Sequence, residues 1–140
     1  MAVLLAVAAG VLSAVFGVKT AGGSDHFGYV SQAYLWSQGS VIVSIPPLDL
    51  PGVPDADRVL MASGYTVGPE PHTQVPAYPP GLPLLMAGAL LVFGTWGPFL
   101  IVPLAVAAAI LGTFALGRRV DSTRTGLTAA ALLTCSPAFI

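Results

Sequence analysis

The sequence predicts an all-α integral membrane protein with about four transmembrane helices, an amphipathic interfacial helix and a long proline-rich loop between the first and second spans. Three observations carry that expectation. Apolar residues make up 55% of the 140-residue chain and charged residues 8%, where a soluble domain carries about 25% charge. Mean hydropathy is +0.84. The polar, proline-rich residues gather in one stretch, 41–80, with apolar sequence on either side.

Composition also excludes function classes. A net charge of −1 leaves no cation excess to neutralise a nucleic-acid backbone. The single cysteine, Cys135, excludes an internal disulfide framework and a CxxC zinc site. Its apolar neighbours over 129–134 predict a small buried side chain.

The first span is read over 2–18, which is uncharged and rich in Ala, Val and Leu. At about 1.5 Å per residue it just crosses the hydrocarbon. An uncleaved anchor fits better than a signal peptide, because no Lys or Arg precedes Lys19 and Thr20-Ala21-Gly22-Gly23 is a poor cleavage site. The missing basic start, and an apolar run still open at Ile140, lead to the expectation of a fragment of a longer protein. The extracytoplasmic segment is read over about 19–79. Ser24 is placed to cap a helix over about 25–38, and Gly39 to end it. Phe27, Tyr29, Tyr34 and Trp36 suit that helix to the membrane interface.

In the loop, Pro46, Pro47, Pro51, Pro54, Pro69, Pro71, Pro76, Pro79 and Pro80 forbid long helices. Asp49, Asp55, Asp57, Arg58 and Glu70 keep it wet, and Val41-Ile42-Val43 is read as a short strand. A loop this long is more often functional than a plain connector. The uncharged stretch 81–116 is too long for one ordinary span. Gly94-Thr95-Trp96-Gly97-Pro98 breaks it into spans over 80–93 and 98–116, with Trp96 at an interface. A polar turn over 117–124 leads to a fourth span over 125–140. The positive-inside tendency puts Arg118, Arg119 and Arg124 in the cytoplasm, whereas counting spans from an outside loop returns Arg118 to the outside.

On a helix, Asp25, Tyr29, Gln32 and Trp36 fall within about 60° of one another. Such a face can stack a sugar ring while carboxylate and amide bond its hydroxyls. It equally suits a helix that only anchors through its rings. Asp25, close to a span, is placed as a general base or as a carboxylate facing the helix dipole. His26, about 100° away, is a second base, a metal ligand or a solvated side chain. Glu70 and His72 in Pro69-Glu70-Pro71-His72 offer two metal ligands, too few to define a site. The sequence requires no cofactor, and a divalent metal has no further support. Tyr78-Pro79-Pro80-Gly81-Leu82-Pro83 opens the second span with prolines that cost no helical bond. It sets Tyr78 at the same membrane face as Asp25.

Taken in order, several motifs resemble one family. The first is Ser24-Asp25-His26-Phe27-Gly28-Tyr29 with Ala33-Tyr34-Leu35 and Gly39. The second is Tyr78-Pro79-Pro80-Gly81-Leu82-Pro83-Leu84-Leu85. Gly117-Arg118-Arg119, Thr125-Gly126-Leu127, Ala129-Ala130-Ala131-Leu132-Leu133 and Ser136-Pro137 follow. The set is similar to the amino-terminal part of polytopic C-type-fold glycosyltransferases: the protein O-mannosyltransferases, aminoarabinose transferases and galacturonosyl-type lipopolysaccharide transferases. The resemblance spans nearly this whole chain but only part of a module several-fold longer.

The resemblance implies a multi-pass enzyme of the cell (plasma) membrane. Such an enzyme moves a sugar from a polyprenyl-phosphate donor to a lipid, glycan or protein hydroxyl on the extracytoplasmic side. Its partners would be that donor, that acceptor and membrane lipids, with no nucleic acid. Asp25 stands where the family keeps its acidic base, and His26, Tyr29, Gln32, Trp36 and Tyr78 would bind substrate. Many members have Asp-Glu at this place; here Asp25-His26 lacks the second carboxylate. The lipid phosphate leaves already ionised, so a general acid is not essential, but nearby positive charge is needed. Lys19, Arg58 and the later arginines are the cations on hand. Residues 1–140 alone are expected to be inactive. The rival expectation is a non-enzymatic polytopic protein such as a transporter subunit or assembly factor.

Overall fold

The computed structural model describes residues 1–46, 56–59 and 61–136, the side chains of Ala56 and Asp57 excepted. The loop residues Pro47, Asp49, Pro51, Pro54 and Asp55, the Asp57 side chain, Pro137 and the last part of the expected fourth span lie outside the described residues.

The elements run α1 (Ala2–Phe16), α2 (Ser24–Ser37), β1 (Val43–Ser44), α3 (Ala56–Val59), β2 (Tyr65–Val67), β3 (Thr73–Pro76), α4 (Gly81–Phe93), a 3-10 turn (Gly94–Trp96), α5 (Gly97–Val120) and α6 (Thr123–Thr134). The chain is mostly helical, but the all-α expectation is corrected, because the proline-rich segment holds a three-stranded antiparallel sheet in the order β1-β3-β2. Prolines permit it because they lie in the hairpin tip (Pro69, Pro71) and at a strand end (Pro76), where ladder donors are dispensable.

The expected four spans are also corrected. At about 1.5 Å per residue, α1 reaches about 22 Å and α6 about 18 Å, both short of a hydrocarbon core of about 30 Å. Among the described residues, only the helical run Gly81–Val120, 40 residues with a window of mean hydropathy 2.5, is long and apolar enough to cross a membrane. The expected break within that run is present at Gly94 (φ 64°). A Cβ on Gly97 would stand 2.1 Å from the Ala89 carbonyl oxygen, so this close approach to the preceding helix needs glycine.

The chain divides into two compact units. One takes Met1–Lys19 and the chain from Phe99 onward. Its core is Ala6 and Ala9 of α1, Val106 and Ile110 of α5, and Ala130 of α6. Close approach depends on small residues. A Cβ on Gly117 of α5 would lie 2.7 Å from Gly126 Cα, and one on Gly126 would lie 2.6 Å from the Phe114 carbonyl oxygen. Arg118 and Arg119 sit in the last turn of α5 rather than in a polar turn. Cations are favoured there by the helix dipole, and the Arg118 guanidinium lies 5.9 Å from the centre of the Phe114 ring. Ser122 caps α6, its Oγ accepting from the Thr125 amide at 3.2 Å. Cys135, expected buried, is exposed, because it caps α6 beyond the last packed turn.

The second unit, Thr20–Pro98, pairs α2 with α4 and carries the sheet. Buried Gly28, Gln32 and Ala33 mark the packed side of α2, and Pro83, Met86 and Ala87 that of α4. Ser24 is not the cap expected of it: it is the first helical residue, after Gly23 at φ 83°, with no side-chain cap bond. The other end of α2 is as expected. Gly39 (φ 73°) lets its own amide reach the Trp36 carbonyl at 2.9 Å and the Ser40 amide reach Leu35 at 3.1 Å, satisfying the last turn.

Candidate functional site

The site assembles around Tyr78, in the short link between β3 and α4. The β2–β3 hairpin pairs Tyr65 with Pro76 and Val67 with Gln74. An Ala77 amide bond to the Gly64 carbonyl, 2.9 Å, continues that pairing to the edge of α2. Gly64 is the third residue of a turn closed by Tyr65 N–H to Ala62 O at 3.1 Å, and its φ of 85° requires glycine.

Tyr78 then lies across α2. Its phenol donates to Asp25 Oδ1 at 2.5 Å. Its ring sits 4.6 Å from that of Tyr29 at a tilt of 43°. Its carbonyl accepts from Gln32 Nε2 at 3.4 Å. The Asp25 carboxylate keeps the phenol protonated, by the hydrogen bond first, then burial and charge, so the Tyr78 pKa is raised above its ordinary value; a Ser24 contact opposes this weakly.

Of the residues singled out from sequence, Asp25, Tyr29, Gln32 and Tyr78 are therefore brought together. Asp25 is exposed, Tyr29 and Tyr78 are half-buried, and Gln32 is 2% exposed. Trp36 lies one turn beyond Gln32, half-buried, with its indole nitrogen inside. The face does not stand open along its length as a sugar platform, because the chain's own Tyr78 ring covers Tyr29. The accessible part is the Asp25–Tyr78 end. His26 is exposed, and its Nδ1–H donates to the Gly22 carbonyl at 2.8 Å.

Glu70 and His72 occupy the tip of the β2–β3 hairpin. There the Thr73 hydroxyl donates to the Glu70 carbonyl at 2.6 Å, and His72 adopts φ 57°. Among the described residues no three His, Cys, Asp or Glu side chains gather as a metal site would need. Arg58, on α3, is exposed and is the one Lys or Arg in the sequence of this unit.

Two residues of the site were missed from sequence. A Cβ on Gly28 would fall 2.2 Å from Tyr78 Cε2, and one on Gly64 would fall 2.6 Å from the same atom. The two glycines form the cradle in which the ring rests. The available signal was Gly28 itself, a costly residue inside a helix otherwise rich in rings.

Compared with known protein families, with curated proteins and with solved structures, the chain finds no match.

Proposed function

We propose that the chain belongs to a membrane-embedded glycosyltransferase that moves a sugar from a polyprenyl-phosphate donor to a hydroxyl acceptor, with Asp25 as base. The observation that carries this reading is the 2.5 Å bond between Tyr78 and Asp25. The two stretches that most resemble the family, 53 positions apart at these residues, converge on one exposed carboxylate.

Residence in a membrane is supported by how the helices distribute their side chains. Alanines fill the core of α1, while Val3, Leu4, Val7, Val11 and Phe16 face outward. On α4 and α5 the outward residues include Leu84, Leu91, Val92, Val102 and Leu104. Small residues inside and large apolar ones outside is the pattern of helices packed in lipid, and the reverse of a water-solvated helix.

In the proposed reaction Tyr78 holds one carboxylate oxygen and stays protonated. The other oxygen of Asp25 takes the acceptor's hydroxyl proton. The acceptor oxygen bonds to the anomeric carbon from the face opposite the donor phosphate, and the carbon–oxygen bond to that phosphate breaks. Its electron pair leaves with the polyprenyl phosphate, already an anion. Configuration is inverted.

The test is Asp25→Asn in the protein as its gene encodes it, in membranes, assayed for transfer of labelled sugar from polyprenyl phosphate. The expected result is a fall of about 10²–10⁴-fold, the usual contribution of a general base, at unchanged expression. Undiminished transfer overturns the assignment.

A further inference from the structure

Gln32 and Trp36 stand one helical turn apart on α2, so their side chains are neighbours on one face. Gln32 is 2% exposed. Its Nε2 donates to the Tyr78 carbonyl at 3.4 Å, which fixes the amide: flipped, it would set oxygen against oxygen. Oε1 is thereby turned elsewhere, buried, and accepts no hydrogen bond. Trp36 Nε1 is likewise buried and donates none. Buried polar atoms are seldom left this way. Here the two orphans are complementary in kind, an acceptor and a donor carried one helical turn apart on α2.

We propose that Gln32 and Trp36 form a buried site for a single hydroxyl group, which donates to Gln32 Oε1 and accepts from the Trp36 indole N–H. The chemistry selects the occupant. A carboxylate or fully ionised phosphate has no proton for Oε1, and an ammonium has no lone pair for the indole. One O–H supplies both from a single atom. Its source is either a water held in the helix packing or a hydroxyl of a polyol such as a sugar ring. The site is continuous with the Asp25–Tyr78 pair through the Tyr78 backbone. It does not depend on Asp25 acting as a base.

The test uses the chain labelled with ¹⁵N at tryptophan, in a detergent that carries no hydroxyl. Its two indole resonances, from Trp36 and Trp96, are assigned with Trp96→Phe. One arm looks for magnetisation transfer from a long-lived water to the Trp36 indole proton; the other titrates methyl hexosides and follows its shift. The proposal expects one of these responses. A water cross-peak identifies solvent as the source, and a saturable shift identifies the sugar hydroxyl. Gln32→Leu is expected to abolish the response.

A Trp36 proton silent to both water and hexoside overturns the proposal in the parent chain alone, whatever the variants do. So does a response that persists in a folded Gln32→Leu. Asp25→Asn is expected to leave the Trp36 response in place, so loss of transfer and loss of this site are separate results.

Discussion

Gly28→Ala tests the cradle that positions Tyr78, because two effects of known size oppose each other there. Alanine is favoured over glycine inside a helix by about 0.8–1 kcal/mol, so propensity alone makes the variant more stable. The new Cβ, however, would stand 2.2 Å from Tyr78 Cε2, 2.6 Å from Cδ2 and 3.3 Å from Gly64 Cα. Overpacking of this kind costs about 1–3 kcal/mol, so the net change is a loss of up to about 2 kcal/mol. The ring yields more readily than the Gly64 backbone, and as it swings out it leaves Asp25.

Tyr78 should report that movement. Its pKa is raised because Asp25 favours the neutral phenol. The stabilisation is therefore present below tyrosine's ordinary value of about 10 and is lost as pH rises through the higher folded value. In Gly28→Ala, alkaline titration followed by tyrosinate absorbance should bring Tyr78 back towards its ordinary value, alongside a lower denaturation midpoint. Gly88→Ala on α4 is the control: nothing lies within 4 Å of its Cβ, so it should gain stability. The reasoning is refuted if Gly28→Ala is as stable as Gly88→Ala and leaves the Tyr78 titration unchanged.

Two further outcomes are expected. Gly126→Ala should lower the unfolding midpoint by the equivalent of about 1–3 kcal/mol, because its Cβ meets the Phe114 carbonyl oxygen at 2.6 Å and the Arg118 amide at 2.9 Å. Those atoms are backbone and cannot turn aside as a ring can. Asp121 accepts hydrogen bonds from Thr125 and Ser122 hydroxyls, which hold its pKa below the usual carboxylate value. That contribution is present above about pH 3.9 and is lost as pH falls through the lower folded value. Amide exchange at the start of α6 should accelerate in that acid range, and Asp121→Asn should remove the pH dependence.

The helices were legible in the sequence because their signals are local. Uncharged runs, Gly39 and the Gly94–Gly97 break mark α1, α2, α4 and α5 to within a few residues. Of the sheet only its first strand was legible, read over 41–43 and found at Val43–Ser44. The strands are two to four residues long, and prolines mask any alternation, so β2 and β3 are defined only by their pairing across a Pro-Glu-Pro-His tip. The helix face with Asp25, Tyr29, Gln32 and Trp36 could be drawn from spacing, but spacing does not say what covers a face. The ring that covers it comes from Tyr78, 53 positions after Asp25, and the glycines that admit it look like ordinary helix and turn residues until the contact is seen. Arg118 and Arg119 misled for another reason: charge marks a turn in an apolar sequence, yet it also suits the last turn of a helix.

What solvates the outward faces decides whether the chemistry proposed for Asp25 has a membrane to work at, and one substitution separates the alternatives. Leu104 lies on α5, 61% exposed, in the run apolar enough to span. In water, exchanging an exposed leucine for lysine is close to neutral or favourable, since surface substitutions change stability by about 0.5 kcal/mol at most. Within hydrocarbon the same exchange moves from a favourable residue to one costing about 2.5–3.5 kcal/mol near a span's centre. Leu104→Lys should therefore reduce insertion of the 81–120 segment in a translocon assay by an amount on the order of 3 kcal/mol. If Leu104→Lys inserts like the parent, or yields a protein that stays dispersed without detergent, α5 does not face lipid. The proposed donor is carried on a polyprenyl chain and needs a bilayer-borne enzyme, so the glycosyltransferase reading would fall with it.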